Sequence, residues 1–136
     1  MSSIGAPCTA PPWGTLNAVD LATGELLWRV PLGNMRGLAP FPVWALYGDI
    51  GVPNFGGGLS TAGGVHFVAA STDRYFRAFD VDTGEVLWRT RMPYAGHATP
   101  MTFRLTPESK QFVVIAAGGN VVTEIGDGLR AYALPD

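Results

Sequence analysis

The sequence has one cysteine, few charged residues and no long apolar run, and each shortage excludes a class of protein. Cys8 alone cannot form an internal disulfide. With 15% charged residues, a net charge of −2 and no basic cluster, the chain has no electrostatic basis for binding nucleic acid. No apolar run approaches the roughly 18 residues of a membrane-spanning helix. The N-terminus also lacks the charged and apolar segments of a signal peptide.

Glycine and proline, in contrast, are abundant. The 136 residues include 18 glycines and 11 prolines, and 47% of the chain is apolar. This composition is typical of a globular fold with a core and many turns between short strands.

The clearest local signal is a β-hairpin over residues 74–89. The side chains of residues 75–80 follow a period of two, and residues 86–88 resume an apolar run of strand formers. Between them, Asp82-Thr83-Gly84 predicts a tight turn, because Asp and Thr bond to turn backbone and Gly accepts a positive φ.

The same hairpin occurs 60 residues earlier. Residues 18–29 and 78–89 share Ala, Asp, Thr-Gly-Glu and Leu-Trp-Arg without a gap, and residues 129–133 repeat the pattern more loosely. Repeated hairpins indicate stacked β units that cannot bury their faces alone. Trp28 and Trp88 then fill the gaps between units, with each indole N–H bonded to a backbone acceptor.

No segment shows a helical period, so the predicted class is all-β. The run at 111–117 is apolar throughout and is predicted to be a strand buried on both faces. The units expected along the chain are an irregular start (1–13), a partial blade (14–32), a long loop (33–64), a complete blade with strands 65–70, 75–80, 86–92 and 99–105 (65–105), and a second partial blade (111–136).

Repeating four-stranded antiparallel units are typical of β-propellers, which need about four to eight blades to close. This chain holds about two. We therefore expect it to be part of a larger ring.

One repeated pattern and several further stretches of sequence indicate which protein family the chain resembles. The pattern Ala-x-Asp-x-x-Thr-Gly-Glu-x-x-Trp resembles the tryptophan-docking repeat of eight-bladed quinoprotein dehydrogenases. The other stretches resemble the C-terminal end of the membrane-bound glucose dehydrogenase type, which uses pyrroloquinoline quinone (PQQ); they lie at 11–15, at 53–57 with 60–64, at 98–102, and at 112–119 with 131–135.

The resemblance implies oxidation of glucose or another sugar or polyol at PQQ, with Ca²⁺ or Mg²⁺ bound to the quinone. It also implies electron transfer to ubiquinone at the periplasmic face of the inner membrane. The catalytic Asp and the main metal ligands of that family belong to other blades. We therefore assign no catalytic residue and no metal ligand here, and expect the chain alone to be inactive.

Asn54, Phe55 and Gly57 are the main candidates for cofactor binding. Asn offers a donor and an acceptor, Phe offers a stacking face, and Gly lets backbone approach a planar ligand. The alternative is a merely tight turn. Asn120 is a fourth candidate, at a position where the resemblance implies a His beside PQQ.

His66 and His97 lack a partner at metal-ligand spacing and are interpreted as structural, although the family tends to have Gln at position 97. Asp20 and Asp80 are interpreted as turn partners. Two other possibilities stay open: a non-catalytic propeller fragment that assembles with copies of itself or with another chain as a scaffold, and a degenerate remnant without function.

Overall fold

A computed structural model describes residues 8–37 and 39–135 of the chain. Within this part, nine strands form three antiparallel sheets of two, four and three strands. The strands are β1 (Thr15–Val19), β2 (Leu26–Pro31), β3 (Gly58–Ser60), β4 (Val65–Val68), β5 (Tyr75–Asp80), β6 (Val86–Arg91), β7 (Met101–Phe103), β8 (Phe112–Ala117) and β9 (Gly128–Tyr132). Both predicted hairpins are present, as β1–β2 and β5–β6.

The middle sheet contains different strands from the complete blade predicted at 65–105. Its strand order is β3-β4-β5-β6, so its first strand comes from the segment expected to be loop, 33–64. The strand predicted at 99–105 is not its fourth strand. Instead β7 pairs with β8, where Thr102 faces Val113, and belongs to the third sheet.

The 33–64 segment also contains helical structure that the sequence did not predict. Met35–Gly37 forms a 3-10 turn, and α1 spans Val43–Tyr47. Each is about one turn long, too short to show an amphipathic period. No helix in the described ranges is long and apolar enough to cross a membrane.

The middle sheet buries both of its faces. One face packs against the first sheet through a cluster of Leu32, Val68, Ala70 and Phe79. The other packs against the third sheet through a second cluster, whose buried members are Ala69, Phe76, Met92, Val113, Ile115 and Ala117. The three sheets therefore stack face to face, as neighbouring blades do.

Two predicted burials are wrong. β8 buries Val113, Ile115 and Ala117 but leaves Ala116 exposed, so it is covered chiefly on one face. Trp88 was expected to be buried between blades, yet 38% of it is exposed. The Trp88 ring still contacts the ring of Phe76 in the middle sheet and the ring of Tyr132 in the third sheet.

The repeat turns have the predicted chemistry. In each turn the Asp carboxylate, Asp20 or Asp80, accepts backbone N–H bonds from the residues two and three positions later, at 2.8–2.9 Å. These bonds to Thr23 and Thr83 are the largest cause of the lowered pKa of each carboxyl group. Both Asp residues therefore act as structural turn partners.

Candidate functional site

The segment that carries Asn54, Phe55 and Gly57 is held by backbone hydrogen bonds on its inner side. Val52, which is fully buried, donates its N–H to the carbonyl of Leu32 at 3.0 Å. Asn54 forms an isolated antiparallel bridge with Ser71, and Phe55 donates its N–H to the carbonyl of Ala70 at 2.9 Å. The segment is thus an extended strand-like connection rather than a free loop.

The glycines of this segment lie against the chain at 97–99. A Cβ at Gly56 would lie 2.5 Å from the His97 carbonyl oxygen, and one at Gly57 would lie 2.5 Å from Thr99 Oγ1. Both glycines are exposed on their other side. Glycine is therefore required here for close packing, and the same packing leaves the backbone of the segment open to a ligand.

Asn54 has a polar atom without a partner among the described residues, and Phe55 has an exposed ring. The Asn54 Oδ1 atom is buried and has no hydrogen-bond partner among the described residues. Burying an amide oxygen without a hydrogen-bond donor costs free energy of folding. A bound donor group or cation would satisfy this oxygen. The Phe55 ring is 49% exposed and is free to stack on one face.

Asn120 lies in a turn that uses its side chain. Its Oδ1 accepts the N–H of Val122 at 2.9 Å and of Thr123 at 3.2 Å. The oxygen is therefore engaged in holding the turn. The amide nitrogen is therefore the part of the side chain that remains to serve a ligand.

His97 joins this site, although its isolated position in the sequence predicts a structural residue. Its ring lies edge to face with the ring of Phe55, with centroids 5.7 Å apart at 88°. Burial lowers the pKa of His97 below its usual 6.5, opposed by a hydrogen bond to Ala70. His66, in contrast, bonds through Nδ1 to Ser60 Oγ at 2.9 Å, on the β3–β4 pair.

A buried ionic network beneath the site was not predicted. Arg77 and Asp73, exposed by 3% and 1%, form a short charge-assisted pair. Ser71, the bridge partner of Asn54, donates its hydroxyl to Asp73 at 2.6 Å, and Asp73 also accepts the N–H of Asn34 at 3.0 Å. The one signal in the sequence was an arginine inside a strand that is otherwise buried.

Metal-ligating groups do not cluster here. Within residues 8–37 and 39–135, no group of three or more His, Cys, Asp or Glu side chains is arranged to hold a metal ion. The chemistry that the site offers is therefore amide, aromatic and backbone contact.

The chain matches the sequence model of a known protein family. The model described as PQQ: Glucose/ethanol/alcohol dehydrogenase, beta-propeller domain, matches residues 1–113. The chain belongs to this family. Its repeated hairpins and stacked sheets are those of a partial quinoprotein propeller.

Relatives agree with this assignment. The chain is 45% identical over 139 residues to quinoprotein glucose dehydrogenase of Escherichia coli (strain K12), and 48% identical over 140 residues to quinoprotein glucose dehydrogenase A of Acinetobacter calcoaceticus. Each alignment covers 100% of this chain and 17% of the relative. This chain therefore spans about a sixth of the length of those proteins.

A solved structure supports the same family assignment. The structure of a quinohemoprotein alcohol dehydrogenase from Comamonas testosteroni superposes with a TM-score of 0.60 at 26% identity. The superposition covers 84% of this chain and 14% of that one.

Proposed function

We propose that this chain forms the C-terminal portion of the propeller of a PQQ-dependent dehydrogenase that oxidises glucose or another sugar or polyol. The observation that carries the proposal is the 45–48% identity, along the whole chain, to two quinoprotein glucose dehydrogenases. In this proposal the complete enzyme lies at the periplasmic face of the inner membrane and passes electrons to ubiquinone.

The residues at the candidate site fit one flank of a planar, polar cofactor. PQQ, when bound with its Ca²⁺ or Mg²⁺, accepts the electrons removed from the substrate. Phe55 offers an exposed ring for stacking, and Gly57 leaves its backbone accessible. The buried Asn54 Oδ1, which lacks a partner in the described part of the chain, would accept a hydrogen bond from the cofactor or ligate its cation.

Asn120 would offer the cofactor one hydrogen-bonding group, its amide nitrogen, rather than the donor and acceptor that the sequence suggests. Because its Oδ1 already accepts the N–H groups of Val122 and Thr123, only its Nδ2 can donate to a cofactor oxygen. An amide does not titrate near neutrality, so Asn120 would orient the cofactor without moving a proton.

In this proposal the chain binds and orients but does not carry out the oxidation. Asn54, Phe55, Gly57 and Asn120 include no general base for removing the proton of a substrate hydroxyl. A single flank also encloses little of a ligand, whereas small-molecule sites bury about 70–90% of it. We expect the 136-residue chain with PQQ and Ca²⁺ to show weak binding and no glucose oxidation.

A chimera tests the proposal. This chain would replace the aligned 139 residues of the Escherichia coli enzyme, and glucose oxidation would be measured with PQQ and Ca²⁺ added. An active chimera is expected, because the two segments share 45% identity over their whole length. A chimera that folds and binds PQQ but oxidises no sugar or polyol would contradict the substrate class, and one that folds without binding PQQ would contradict the cofactor.

A further inference from the structure

His97 connects the two loops that carry the candidate site residues. Its Nδ1 lies 3.3 Å from the carbonyl oxygen of Ala70, which also accepts the N–H of Phe55 at 2.9 Å. Its Nε2 lies 3.4 Å from Thr123 Oγ1, and this hydroxyl accepts the N–H of Asn120 at 2.9 Å. A chain of hydrogen bonds therefore runs from Phe55 through His97 to Asn120.

The partners determine the tautomer of His97. A carbonyl oxygen can only accept, so Nδ1 must carry the proton that it donates to Ala70. The unprotonated Nε2 is then an acceptor for the hydroxyl proton of Thr123, which His97 Nε2 and Asn120 Oδ1 share, since each lies 3.4 Å from Thr123 Oγ1. The hydroxyl oxygen accepts the Asn120 N–H. Partial burial disfavours the charged ring and so favours this neutral form.

We propose that His97 is a positioning residue of the cofactor site, which holds the Phe55 ring and the 120–123 turn in one arrangement before PQQ binds. This inference rests on the function proposed above. The Phe55 ring is half exposed, and the edge-to-face contact with His97 restricts its orientation. A site ordered in advance avoids the entropy cost of ordering its side chains on binding.

Three variants of the 136-residue chain test the hydrogen-bonded connection without any ligand. His97→Leu removes both hydrogen bonds. His97→Gln keeps an N–H for Ala70 and an oxygen for Thr123. His66→Gln is the matched control, because His66 is also partly buried but bonds to Ser60 instead.

Amide NMR spectra give the first readout. His97→Leu is expected to shift the backbone signals of both Phe55 and Asn120. His97→Gln, which lacks the ring but keeps the hydrogen bonds, should leave the Asn120 signal near its wild-type position, and His66→Gln should leave both. In the wild type, ¹⁵N spectra should show a proton on Nδ1 of His97. A His97→Leu spectrum in which the Asn120 signal is unmoved would overturn the connection.

PQQ affinity gives the second readout. It is measured with Ca²⁺ on the Escherichia coli chimera carrying each of the same substitutions, because the isolated chain is expected to bind only weakly. Loss of two hydrogen bonds predicts about tenfold weaker binding for His97→Leu, with His97→Gln within about twofold of wild type. Equal binding by wild type and His97→Leu would overturn the inference while the proposed function stands. Absence of PQQ binding by the folded chimera with the unsubstituted segment would count against the proposed function, and with it the positioning role; the amide shifts would still judge the hydrogen-bonded connection.

Discussion

The indole N–H of Trp28 donates a hydrogen bond of 2.8 Å to the carbonyl oxygen of Val81, 53 positions later in the chain. The ring of Trp28 also covers Gly84, so that a Cβ there would lie 2.7 Å from the indole. The tryptophan of one repeat therefore docks on the turn of the next repeat. This contact joins the first sheet to the middle sheet.

Gly84→Ala should destabilise the chain more than Gly24→Ala. Both glycines occupy the same turn position with φ near +74° and +73°, so both variants carry the strain of a positive φ. Only at Gly84 does the new methyl group collide with Trp28, since nothing lies within 4 Å of a Cβ at Gly24. We expect an additional loss of about 1–3 kcal/mol in the free energy of unfolding for Gly84→Ala.

A double-mutant cycle is the control for this comparison. In a Trp28→Ala background the collision disappears, so Gly84→Ala should cost no more than Gly24→Ala. Equal unfolding free energies for Gly84→Ala and Gly24→Ala in the wild-type background would refute docking on the turn.

Trp28→Ala should cost about 3 kcal/mol in the free energy of unfolding. This is the lower end for truncation of a packed tryptophan, because the Trp28 ring is only partly buried. Trp13→Ala is the control, because the one hydrogen bond of the Trp13 indole within the described residues goes to the Thr9 carbonyl, four residues earlier. Chemical denaturation measures both variants, and similar midpoints would mean that Trp28 does not join the sheets.

Arg77→Leu should be far more damaging than Arg89→Leu. Removing Arg77 leaves the Asp73 carboxylate buried without its counter-charge, which costs about 3–5 kcal/mol. Arg89 pairs with Asp49 at 3.5 Å on the surface, where both side chains are about half exposed, and such pairs contribute about 0–1 kcal/mol. Comparable losses of unfolding free energy in the two variants would contradict the buried network.

Histidine titration should make the chain less stable in weak acid. Burial lowers the pKa of His66 and His97 from 6.5 in the folded state. The unfolded chain therefore binds more protons just below pH 6.5, so the free energy of unfolding falls as the pH falls through this window. Asp20 and Asp80 have pKa values lowered from 3.8, so their contribution is lost only at more acidic pH.

The double variant His66→Gln with His97→Gln should remove most of the pH dependence between pH 7 and pH 5. Denaturant midpoints measured across that range test this expectation. An unchanged pH dependence in the double variant would show that other groups are responsible.

The hairpins could be predicted from the sequence because their determinants are local. Asp, Thr and Gly fix each turn within a few residues, and the repeat at a spacing of 60 excludes coincidence. The pairing of strands could not be predicted in the same way. The strand at 101–103 is apparent in the sequence, but nothing there says which sheet it joins. Gly58–Ser60, the strand that completes the middle sheet, is only three residues long and begins with glycine.

The candidate site was predictable only in part. The segment 53–57 is distinctive by itself, but the role of His97 depends on partners far away in sequence, namely Ala70 and Thr123. Arg77 and Asp73 are only four positions apart, with Asp73 just before β5, but this spacing in a strand-rich segment does not mark a buried ion pair. The His97 contacts, made across 27 and 26 positions, leave no local pattern at all.

The PQQ affinity of the chimera with Asn54→Ala tests the cofactor site most directly. The control is Asn17→Ala, because Asn17 is an exposed residue of β1 whose side chain bonds to Thr15 and Arg29. If the buried Asn54 Oδ1 contacts the cofactor or its cation, Asn54→Ala should weaken PQQ binding about tenfold and Asn17→Ala should leave it unchanged. Equal PQQ affinities for the two variants, with both chimeras folded, would contradict the placement of the cofactor at Asn54.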